Sequence, residues 1–97
     1  MAVQNRKLDP DRAYNIAQEV LNELAAAIAE HAPMHSGHEG YAVIKEELDE
    51  LWEEVRKKKQ HPDRMRKEAT QVAAMAMRFL YDVLGAGIPE PYYPDRP

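Results

Sequence analysis

The chain has 97 residues, a formal net charge of −4 and no cysteine. It is long enough for one small domain, residues 1–97, and it excludes disulfides, zinc–thiolate sites and thiol nucleophiles. Its basic residues cluster only in VRKKKQ and RMRK, around one turn and beside acids, which argues against a nucleic-acid surface; short apolar runs and an opening MAVQNRKLDPDR without a hydrophobic stretch predict no membrane span and a cytoplasmic protein.

Residues 10–30 predict the first helix. Asp9 can cap it, and Pro10 suits the first helical position, where a missing N–H costs nothing. Ala13, Ile16, Ala17, Val20, Leu21, Leu24 and Ile28 recur at three- and four-residue steps. The next stretch, HAPMHSGHEG, breaks that rhythm with Pro33, Gly37 and Gly40. Ser36 followed by Glu39 fits a capping box, so the second helix should begin near Gly37 and run to about Lys59. Gly40 in its first turns costs roughly 1 kcal/mol against alanine. It either admits a close backbone or ligand contact or marks a later start.

QHPD makes the next turn, and Pro62 opens a third helix that should run to Leu84 and stop at Gly85. Its middle, VAAMAMRFL, carries a single charge, and a helix apolar on most sides is buried on most sides. Two helices of the same chain would struggle to cover it. The expected fold is therefore all-α: three antiparallel helices that complete a larger bundle by homo-oligomerisation, as a homodimer or a tetramer. Residues 85–97 predict an extended tail rich in Pro and Tyr, with Tyr92 and Tyr93 either packed on a partner subunit or only partly ordered.

The glutamates of the second helix are not equivalent. Glu53 and Glu54 each have a lysine four residues on, Lys57 and Lys58, and read as solvated ion pairs. Glu47 borders the apolar stripe of Ile44, Leu48, Leu51 and Val55, with no cation within a turn on its own face. Glu50 lies three residues on and has Glu46 and Glu54 at four-residue spacing, an arrangement that repels. On the third helix Glu68 flanks the stripe of Val72 and Met75, Gln71 follows one turn later, and Arg64 precedes it by four residues and could neutralise it. Antiparallel packing of these two helices would bring Glu47, Glu50, Glu68 and Gln71 together, an oxygen-only set suited to Mg²⁺ or Mn²⁺. A solvated acidic face is the competing reading of the same residues. Arg78 falls on the Glu68 side of the third helix, with Asp82 four residues on as an ordinary surface partner. His31, His35 and His38 read as solvated loop residues, a metal set, or a lining for a nucleotide pocket. Trp52 reads as core packing or as a stacking surface for a base, and Met65, Met75 and Met77 as core filler.

KEELDEL on one helix and KEATQVAAMAMRFL on the next resemble the MazG-like all-α nucleoside triphosphate pyrophosphohydrolases, whose pattern is EExxE followed by ExxD. Glu46, Glu47 and Glu50 stand at the first motif and Glu68 at the second, over roughly Glu39 to Val83. Gln71 stands where that pattern has Asp; it offers an oxygen without a charge and lowers the expected metal affinity. The resemblance implies cleavage of an NTP or dNTP between its α and β phosphates, giving the monophosphate and pyrophosphate. Mg²⁺ or Mn²⁺ on Glu47, Glu50, Glu68 and Gln71 would neutralise the phosphates and acidify a water. Glu46 would orient or deprotonate that water. Arg64, Arg78 and His38 would meet the substrate. The alternatives are a catalytically impaired helical dimer that binds nucleotide or protein, and an acidic docking surface for a basic partner.

Overall fold

The structure is a computed structural model that describes residues 5–85; the expected tail over residues 86–97, with Tyr92 and Tyr93, lies outside the described residues. Three α-helices follow in order: α1 (Pro10–Glu30), α2 (Gly37–Val55) and α3 (Pro62–Phe79), the last continued by a π-helical turn, Leu80–Leu84. No strand occurs among the described residues.

The caps explain where the helices begin. Asp9 accepts from the N–H groups of Asp11 and Arg12, satisfying donors that α1 itself cannot use. Ser36 does the same for Glu39 at 3.1 Å, while the Glu39 carboxylate reaches back to the His35 N–H and not to that of Ser36. The second helix stops earlier than expected, at Val55 instead of about Lys59. Four consecutive cations, Arg56 to Lys59, follow it, and the Gln60 amide donates to the Val55 carbonyl at 2.8 Å, closing the end with a side chain.

Side-chain pairings fix the directions of the helices. Glu19 meets Arg66 and Thr70, Glu23 meets Gln71, and the Ala32 carbonyl meets Arg78, so α1 and α3 advance together and run parallel. Glu47 approaches Glu68 while Gly40 approaches Phe79, so α2 runs against α3. The third helix is central: it packs on both α1 and α2, which hardly touch each other. The core is correspondingly small. It comprises Val20, Leu24 and Ala27 of α1, Ala74 and Met75 of α3, and Met34 from the connection between α1 and α2. Met77 and Phe79 pack against its edge.

Two expectations about burial, those for Trp52 and Arg78, are corrected. α3 buries Ala74, Met75 and Arg78 within its own chain, while Leu80, Tyr81 and Leu84 in its continuation stay exposed. Tyr14, Ile16 and Leu21 of α1 and Tyr41, Leu48 and Trp52 of α2 are exposed. Trp52, read as core, is 58 % exposed, because its position on α2 turns it away from the face that meets α3. Arg78 and Asp82 do form a pair, but not a surface one. Both side chains are 7 % exposed; Nε donates to Asp82 at 3.2 Å, and a terminal guanidinium nitrogen donates to the Ala32 carbonyl at 2.7 Å. Asp82 also accepts from the Met34 N–H at 3.0 Å. Together these bonds fasten the α1–α2 connection to the end of α3.

Candidate metal centre

Glu47, Glu50 and Glu68 each present a carboxylate oxygen such that all three lie within 4.8 Å of one another. Among the described residues this is the one grouping of three or more acidic or histidine side chains close enough to share a cation. Its origin is helical spacing. Glu47 sits on the face of α2 that packs on α3, Glu50 one turn further on beside it, and Glu68 on the matching face of antiparallel α3.

The electrostatics follow from this placement. Burial lifts the Glu47 carboxyl most, the charge of and hydrogen bonding to Glu50 add to it, and Glu68 and Glu46 add less, bringing it to about 7. Glu68 is also raised, by burial and then by Glu50, against a partial offset from Lys67. No cation contributes to Glu47. Arg64, expected to neutralise Glu68, is exposed and acts on Glu54 instead.

The donor set suits a small hard cation. Two oxygens on opposite sides of one Mg²⁺ at about 2.1 Å are about 4.2 Å apart. A grouping already within 4.8 Å needs only a small side-chain adjustment to close on such an ion. Glu46 is exposed at the outer edge of the cluster, near enough for its charge to act on Glu47.

The remaining candidates are placed differently. Gln71 gives its amide nitrogen to Glu23 of α1 at 2.6 Å. Arg78 is a buried tie at the other end of the molecule, its guanidinium committed to Ala32 and Asp82. His31, His35 and His38 are exposed and form no metal grouping among the described residues.

Two acids that act on the predicted residues escaped the sequence reading. Glu54, taken as a solvated partner of Lys58, binds Lys57 at 2.8 Å with a side chain only 16 % exposed, and its second oxygen is enclosed without a partner. Lys57 holds its carboxyl below the usual range, with Arg64 and His61 helping, and its own charge reaches Glu68. Glu53 likewise pairs three residues on, with Arg56 at 3.4 Å, and not with Lys57. The other missed residue is Glu23. Both could have been found with the argument applied to Glu47: Glu54 lies two turns along the same face, and Glu23 borders the Val20–Leu24 stripe of α1.

Scans of protein-family models, of curated proteins and of solved structures return no match to this chain.

Proposed function

We propose that this chain is a MazG-like nucleotide pyrophosphohydrolase, which cleaves an NTP or dNTP to the monophosphate and pyrophosphate with Mg²⁺ or Mn²⁺ and acts as a homodimer or a tetramer. One observation carries the reading: three carboxylates from two helices converge within 4.8 Å, and Glu47, the most perturbed of them, has no cation to offset it. A fold that holds acids together against their mutual repulsion is suited to a divalent partner.

Glu47, Glu50 and Glu68 would hold the ion. When bound, the ion would offset phosphate charge and favour deprotonation of the attacking water. Exposed Glu46 would take that proton. Water adds to the α-phosphorus, the bond from that phosphorus to the bridging oxygen breaks, and pyrophosphate leaves with the electron pair. Exposed Arg64, at the first turn of α3, would meet the substrate, whereas exposed His38, at the start of α2 near the Gly40–Phe79 contact, lies toward the Arg78 end.

A second reading has one specific support. Gln71 is neutral and bonded to α1, which suits a catalytically impaired helical dimer that only binds nucleotide or protein. Incubating the pure protein with a panel of NTPs and dNTPs, with Mg²⁺ or Mn²⁺, separates the two. Pyrophosphate release that disappears in Glu47→Gln and Glu68→Gln is expected. Release from none of the substrates at high protein concentration, despite metal binding, would favour the binding module.

A further inference from the structure

The side-chain amide of Gln71 has two unlike arms, and one is spoken for. Its nitrogen donates to Glu23 Oε1 at 2.6 Å, across the α1–α3 interface. A carboxylate accepts hydrogen bonds and donates none, so the pairing works only one way round, with nitrogen toward Glu23 and oxygen away from it. Among the described residues no protein group donates to that oxygen, and it is not an enclosed, orphaned atom. Gln71 lies one helical turn beyond Glu68, on the neighbouring part of the same face.

We infer that Glu23 is a positioning residue for the proposed metal centre: it locks the Gln71 amide so that its oxygen is presented as a neutral ligand for the ion or for the ion's water. The inference rests on the metal reading of the triad. It gives the glutamine at this position a physical reason. An acid at position 71 would confront Glu23 with like charge, whereas the amide satisfies Glu23 and still exposes an oxygen.

The test is a set of Mn²⁺ titrations followed by calorimetry, with thermal melts of the metal-free proteins alongside. Wild type should bind and Glu47→Gln should not. Glu23→Gln keeps size and shape but lets the Gln71 amide turn over, and its affinity should fall roughly ten- to a hundredfold, as for other residues that orient a metal ligand. The exchanged variant, Glu23→Gln with Gln71→Glu, reverses the polarity of the bond and leaves a carboxylate at position 71. It should recover at least wild-type affinity. Wild-type affinity in Glu23→Gln, with Glu47→Gln silent, overturns the inference and leaves the metal centre standing. A loss that follows a fall in melting temperature and is not recovered by the exchange reduces Glu23 to a stabilising contact and overturns it too. No binding by the wild type overturns both the inference and the metal reading.

Discussion

In Glu47 several causes push the same way. Partial burial disfavours its charge, and Glu50, Glu68 and Glu46 repel it, so its carboxyl rises from 4.5 to about 7. A group that binds a proton more tightly folded than unfolded stabilises the fold at low pH. Its contribution is full below about pH 4.5 and is lost as pH rises through about 7. Allowing for solvent screening of a half-buried group, the loss is about 1–2 kcal/mol. Glu19 and Glu54 are shifted down by Arg66 and Lys57, and their opposite effect appears only in acid, below the ordinary carboxylate value of 4.5. The metal-free protein should therefore melt at a lower temperature at about pH 8 than at about pH 5.5. Glu47→Gln should flatten that slope, and saturating Mn²⁺ should reverse it, both readable by thermal denaturation. A slope unchanged in Glu47→Gln would place the titration elsewhere. The acids of this cluster were legible because helical spacing ties Glu47 and Glu68 to apolar stripes. Glu23 was not, because only the three-dimensional pairing with Gln71 distinguishes it from any other acid on α1.

At the level of the helices, α2 approaches α3 closely where Gly40 meets Phe79. A Cβ at position 40 would collide with Cδ2 of the Phe79 ring, lie 2.8 Å from its Cε2 and stand 3.2 Å from the Met34 sulfur. The glycine thus serves close helix approach; it neither delays the start of α2 nor sits in a turn. Gly40→Ala gains roughly 1 kcal/mol of helix propensity but overpacks this joint by roughly 1–3 kcal/mol. The expected result is a melting temperature lower by several degrees, since about 1 kcal/mol corresponds to about 4–8 °C in a domain of this size. A rise would mean that the ring moves aside freely. Helix starts were readable from Asp9 and Ser36, which cap their own helices, and from Pro62, whose fixed backbone angle suits a first helical position. The end of α2 was not, because Gln60 closes it through a side-chain bond that no periodicity signals. The burial of Arg78 was hidden as well: its acceptor, the Ala32 carbonyl, lies far away in sequence.

For the whole molecule, the small core and the exposed stripes belong together. Tyr41, Leu48 and Trp52 follow one another at seven and four residues and are 64 %, 51 % and 58 % exposed, so they share one open face of α2. No helix among the described residues is long and apolar enough to cross a membrane. A second copy of the chain is the partner proposed for this face. Burying a leucine or tryptophan contributes roughly 1.5–3 kcal/mol, and a two-fold interface loses each one twice. Leu48→Glu combined with Trp52→Glu should therefore weaken a dimer at least about a hundredfold while leaving the helix content intact, as read by light scattering and circular dichroism. A wild type that is already monomeric at high concentration would remove the dimer from the proposal. The all-α character was evident from the rhythm of apolar residues, whereas which face stays bare depends on how far α1 and α2 stand apart, and no single helix encodes that.

The knot of Arg78, Asp82, Ala32 and Met34 gives the molecule a mechanical asymmetry. One end of the α2–α3 pair is riveted; the other holds like charges that push the two helices apart. The glutamates lie toward the opposite end, where residues 56–61 already join the two helices, so their like charges are held between two fastenings. A cation seated among them would remove that repulsion, so loading the site and stiffening the fold would be a single event.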